Sequence, residues 1–142
     1  MRSISNFIKD RKLHTVKKGT SVRKVAEFMS DHNIGLVPVL DDDGRLLGVF
    51  SERDLVRRVV SKNIDCNNIV VDDVMSTKIV FAGINETYEE CIQKMKSKGT
   101  RHILVLDNEK LAGIISVRDL LEVDLTVKNE TIEVLHNYIY SS

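Results

Sequence analysis

The sequence predicts an α+β fold built from two copies of one β-α-β-β-α unit, with a helix at each end of the chain. Three observations predict it. The phrase Gly48-Val49-Phe50-Ser51-Glu52-Arg53-Asp54-Leu55 returns 65 positions later as Gly113-Ile114-Ile115-Ser116-Val117-Arg118-Asp119-Leu120. Ahead of each copy, apolar residues recur at helical spacing and then give way to two short β-type runs around an acidic turn. The length of 142 residues and the 42% apolar content suit one compact domain, or a tight pair of small ones, with a sizeable core.

Taken in order, residues 1–12 read as a helix with Ile4, Phe7 and Ile8 on one face. The first unit spans 13–62 and opens on the extended stretch His14-Thr15-Val16. Lys18-Gly19-Thr20-Ser21 supplies turn chemistry, with Thr20 or Ser21 as a helix N-cap. Val22, Val25, Ala26 and Met29 then make the apolar stripe of a helix that ends near Gly35. Leu36-Val37-Pro38-Val39-Leu40, the turn Asp41-Asp42-Asp43-Gly44 and residues 45–50 read as a hairpin. Ser-x-Arg-Asp opens a further helix, striped by Leu55, Val56, Val59 and Val60.

Residues 63–77 form a linker whose Asn63, Asp65, Asn67 and Asn68 favour loop, with a short strand and one helical turn over 70–75. The second unit spans 78–125 and repeats the order. Lys78-Ile79-Val80-Phe81 leads into Gly83-Ile84-Asn85-Glu86, with Asn85 as a cap, and a helix striped by Tyr88, Cys91, Ile92 and Met95. After Gly99 come His102-Ile103-Leu104-Val105-Leu106, a turn one residue shorter than the first, residues 111–115, and a helix with Leu120, Leu121 and Val123. Residues 126–142 read as a closing helix on Ile132, Leu135 and Ile139. Neither terminal helix has a duplicate elsewhere in the chain.

Composition narrows the function classes. Lysine plus arginine equals aspartate plus glutamate at 21 each, so the net charge of zero gives no global field for nucleic acid. Tryptophan is absent, which leaves little material for base-stacking platforms. No apolar run approaches the roughly 18 residues of a membrane span, and residues 1–12 lack a signal-peptide core. These features predict a soluble cytoplasmic protein that engages neither membrane nor nucleic acid. The two cysteines and four histidines are scattered, so no metal site is expected, and Cys91 reads as a small core residue. Without a Cys/His dyad, a Walker loop or a metal cluster, the chain is expected not to be an enzyme.

The carrying motifs are Gly35-Leu36-Val37-Pro38-Val39 with the first Ser-x-Arg-Asp phrase, and Arg101-His102-Ile103-Leu104-Val105 with the second. On these the chain resembles a tandem pair of cystathionine β-synthase (CBS) domains, a Bateman module. The resemblance implies two units packed sheet to sheet with pseudo-two-fold symmetry, and clefts between them that hold an adenine nucleotide such as AMP, ADP, ATP or NAD. It also implies a homodimer and a regulatory or sensor role toward a partner protein, with no cofactor required. A nucleotide-free dimeric scaffold that regulates a partner is the alternative.

The repeated phrase has chemistry of its own. Ser51 and Ser116 lie where a strand hands over to a helix, where exposed N–H groups and the helix dipole favour an anion. The resemblance gives Asp54 and Asp119 the task of accepting hydrogen bonds from a ribose cis-diol. Arg53 and Arg118 carry a planar fork suited to phosphate. Arg101 and His102 add positive charge at a strand start. Thr15, Lys78 and Ile79 match family positions near the nucleotide, and Val37 and Ile103 match positions bordering the adenine. Each residue has a plainer reading. Ser-x-x-Asp also makes an ordinary N-cap, His102 also packs as a core histidine, and Arg57-Arg58 reads as solvated surface. Pro38 against Leu104, and Glu52 against Val117, make the two sites unequal.

Overall fold

The computed structural model describes residues 3–121 and His136. The closing helix expected over 126–142 otherwise lies outside the described residues. The chain divides into two compact units, His14–Ile79 on one side and Met1–Leu13 with Val80–Ser142 on the other. Each unit holds one repeat and its own three-stranded sheet, so the fold is α+β.

In the first-repeat unit the order is β1 (Val16–Lys17), α2 (Val22–His32), β2 (Leu36–Leu40) and β3 (Leu46–Ser51). The short helix α1 (Ser5–Ile8), which precedes β1 in the chain, belongs to the other unit. Strand β1 runs parallel to β2, and β2 is antiparallel to β3. The Ser51 hydroxyl caps the helix that follows, α3 (Glu52–Asp54), which continues as a π-turn over Leu55–Val59 and a 3-10 turn over Val60–Lys62. In the second-repeat unit the order is β4 (Phe81–Gly83), α4 (Tyr88–Lys98), β5 (His102–Asp107), β6 (Lys110–Ser116) and α5 (Val117–Leu121), with the same pairing.

Each sheet buries one face against its long helix. Val22, Val25 and Met29 of α2 pack with Val37, Val39 and Phe50. Tyr88, Cys91, Ile92 and Met95 of α4 pack with Ile103, Val105 and Ile115. Ser21 caps α2 as expected, accepting from the Lys24 N–H at 3.2 Å. The cap of α4 is Thr87, not Asn85, because Glu90 reaches back to the Thr87 N–H and closes a capping box. After α3 the apolar stripe is only half used. Val59 is buried in the first-repeat core, while Val56 and Val60 are 58% and 61% exposed.

The terminal helix is where sequence and structure part. The helix expected over 1–12 is one turn, α1, and it has a duplicate after all. Ile4 donates to Glu86 O and Ser3 bridges Thr87, the cap of α4; Val71 donates to Thr20 O and Val70 bridges Ser21, the cap of α2. Ile4 and Val71 are both fully buried. Ile4-x-x-Phe7-Ile8 and Val71-x-x-Val74-Met75 are therefore one repeated element. Each copy packs on the repeat it does not precede, so the two repeats exchange their lead-in segments. The linker is correspondingly fastened down. The Val49 and Ser76 N–H groups donate to each other's carbonyls at 2.9 and 2.8 Å, and a Cβ on Gly48 would sit 2.7 Å from Ser76 O.

Pro38 has a visible consequence. In the second repeat the Leu104 N–H donates to Val80 O at 2.9 Å, and β4 starts at Phe81. Pro38 has no N–H to give to the corresponding residue, and β1 starts one residue later in its repeat, at Val16.

Candidate functional site

At the end of the first sheet, Ser51 closes β3 opposite Leu36 of β2, and buried Val37 faces Phe50. Thr15 precedes β1 at the same end of the sheet, because parallel pairing sets Val16 beside Val39. The structure thus gathers Thr15, Val37, Ser51, Arg53 and Asp54 at one strand-to-helix junction. Exposed Lys78 and part-buried Ile79 belong to this unit and follow Ser76, the residue bridged to Val49. In the second-repeat unit His102 lies opposite Ser116, buried Ile103 opposite Ile115, and Arg101, Arg118 and Asp119 flank the junction.

Both junctions are reciprocal capping boxes. The Ser51 N–H donates to Asp54 Oδ2 at 3.0 Å and the Asp54 N–H donates to Ser51 Oγ at 3.1 Å. Ser116 and Asp119 repeat this at 2.8 and 3.1 Å. The Glu52 and Val117 N–H groups donate to Gly35 O and Arg101 O. These donors are therefore bonded within the fold, where the sequence led us to expect N–H groups open to an anion.

One oxygen of each aspartate remains turned toward an arginine. Asp54 Oδ1 faces Arg58 Nε at 3.6 Å along the helix. Asp119 Oδ1 meets Arg11 Nη1 at 3.0 Å, with the Arg11 guanidinium also 4.8 Å from the centre of the Phe7 ring. Sequence reasoning missed both arginines. Arg58 was expected to be solvated, yet it also donates to the carbonyls of Val74 and Met75 at 3.3 and 3.0 Å. Its i, i+4 spacing from Asp54 was a readable signal. Arg11 had no comparable local signal.

His102 does not add charge. Burial and the neighbouring Arg101 depress its pKa from 6.5 to about 4, with Asp119 opposing, so the ring is neutral at pH 7. Burial likewise pushes the Cys91 thiol up to about 12, which leaves it an inert core group. Among the described residues, no three His, Cys, Asp or Glu side chains gather to hold a metal. No helix among them is long and apolar enough to cross a membrane.

The chain matches the CBS domain family over residues 4–61 and 71–126, so each match begins at a lead-in segment. An uncharacterized protein of Methanopyrus kandleri is 31% identical over 126 residues, which cover 87% of this chain and 64% of that protein. The chain thus spans just under two thirds of that relative's length. The CBS-domain containing protein of Agrobacterium tumefaciens is 32% identical, with a TM-score of 0.78 over 85% of this chain and 98% of its own. A CBS domain protein of Pyrobaculum aerophilum, solved in complex with AMP, shares the fold at 21% identity and a TM-score of 0.79, covering 93% of this chain and 99% of its own.

Proposed function

The chain belongs to the CBS-domain family, and from that premise we propose that it is a non-catalytic regulatory module whose ligand is an adenine nucleotide. One observation carries the reading. Two copies of the same box each leave a carboxylate oxygen facing a guanidinium, beside a strand whose second residue is the buried Val37 or Ile103. A carboxylate oxygen suits a ribose diol, the cation beside it suits a phosphate, and the apolar strand suits a base. The AMP complex of the Pyrobaculum aerophilum protein supports the ligand class. Regulation follows when the nucleotide prefers one arrangement of the module over another.

The test is calorimetry on ligand-stripped protein with AMP, ADP, ATP and NAD. At least one of them binds, and the Asp54→Asn/Asp119→Asn double variant loses that binding. Absence of heat with all four overturns the reading. A second reading, a dimeric scaffold for a partner protein, rests on the exposed pair Val56 and Val60 one helical turn apart. Under it, Val56→Ser/Val60→Ser shifts the sedimentation coefficient while nucleotide leaves melting unchanged.

A further inference from the structure

The second-repeat junction has an ion pair whose cation arrives from the far end of the chain. Asp119 Oδ2 is fixed by the Ser116 N–H, and Oδ1 is held by Arg11. The Asp119 side chain is 17% exposed and that of Arg11 is 46% exposed, so the pair is reachable from solvent. Arg11 sits just beyond α1 on the exchanged lead-in segment, and Phe7, which packs edge-on to Tyr88, lies under its guanidinium. In the first-repeat unit the matching aspartate is paired differently, through Arg58 on its own helix. The two sites therefore draw their cation from different places.

We propose that Arg11 sets the phosphate preference of the second-repeat site, holding Asp119 when the site is empty and passing to the ligand's phosphate when a ribose diol takes Asp119 Oδ1. This rests on the reading of Ser116 and Asp119 as a ribose grip. The Ser116 and Asp119 N–H groups are bonded within the capping box and that of Val117 to Arg101 O, and His102 is neutral at pH 7. The cation already in contact with the site carboxylate is Arg11. A diol alone must break the Arg11–Asp119 pair and leave the guanidinium without an anion. A ligand that carries both a diol and a phosphate replaces both halves of the pair at once. Occupancy of this site would thereby be read by residues 3–11, because the arginine that changes partner belongs to that segment.

The experiment uses the full chain with Asp54→Asn, which silences the first-repeat site, and titrates AMP and adenosine by calorimetry. The expected result is tighter binding of AMP than adenosine. With Arg11→Met, which keeps the packing on Phe7, the AMP-to-adenosine affinity ratio should fall about ten-fold or more, the scale of a charge-assisted contact. Adenosine itself should bind as well as before or better. Arg11→Lys should retain part of the phosphate preference, and it carries the test alone where Arg11→Met does not give a cooperative melt. Equal changes for AMP and adenosine in Arg11→Met, or no change for either, overturn the proposal and leave the ribose grip standing. Unaltered AMP binding after Asp119→Asn, or no binding of either ligand, overturns the grip and this inference with it.

Discussion

Asp54 and Asp119 each close a capping box with one oxygen and turn the other toward an arginine. The capping box predicts that Asp119→Ala lowers stability by about 1 kcal/mol, the usual worth of a lost cap. Asp119→Asn keeps an acceptor for the Ser116 N–H and should cost less than half as much. Urea unfolding of both variants checks the order, and equal losses would show that charge, not capping, holds the junction. His102 carries a pH dependence of definite sign. Its folded pKa of about 4 lies below the usual 6.5, so the unfolded chain takes up a proton first as pH falls. The contribution of the neutral ring is complete above pH 6.5 and is lost progressively as pH falls toward 4. His102→Asn should remove that part of the acid slope, seen as a smaller drop in urea midpoint between pH 7 and pH 5. The twin Ser-x-Arg-Asp phrase was legible at this scale because it is local. The Arg11–Asp119 pair was not, because nothing near Arg11 in the sequence signals a carboxylate a whole repeat away.

At the scale of elements, the exchanged lead-in segments carry more of the fold than their length suggests. Ile4 is fully buried three residues from the chain start, so Ile4→Ala should cost about 2–4 kcal/mol, the range of a large-to-small core change. A loss under about 0.5 kcal/mol in urea unfolding would contradict the packing. The second hairpin turn offers a gain. Asn108 and Glu109 both hold positive φ, 52° and 68°, and a side chain at the second position is strained there. Glu109→Gly should raise stability by about 0.5 kcal/mol or more, read as a higher melting midpoint. The long helices and both hairpins were legible because each keeps its period over several residues. The lead-in copies were not. Ile4-x-x-Phe7-Ile8 and Val71-x-x-Val74-Met75 share only an apolar spacing, and a five-residue pattern competes with chance. The cap of α4 was misplaced for a related reason, since Asn85 is as good a cap by type as Thr87. The reciprocal bond from Glu90 decides between them.

For the molecule as a whole, duplication makes two similar units from one design, and small differences give them separate behaviour. Pro38 trims β1, and Leu104 ties β5 to Val80. Asp54 answers to its own helix and Asp119 to the exchanged segment. A ligand that bound either proposed site would stabilise the fold by mass action, by about 2.7 kcal/mol at a hundred-fold excess over its dissociation constant, so on the proposed reading AMP should raise the melting midpoint in proportion to the logarithm of its concentration. The two-unit plan was legible from the repeat. How the chain divides into units was only partly so, because the exchange moves residues 1–13 into the unit of the second repeat. The most direct test of the central claim, that each repeated aspartate grips one nucleotide, is the stoichiometry of AMP binding by equilibrium dialysis on ligand-stripped protein. Asp54→Asn and Asp119→Asn should each abolish binding at one site and together abolish it all. AMP binding that survives the double change undiminished would contradict it.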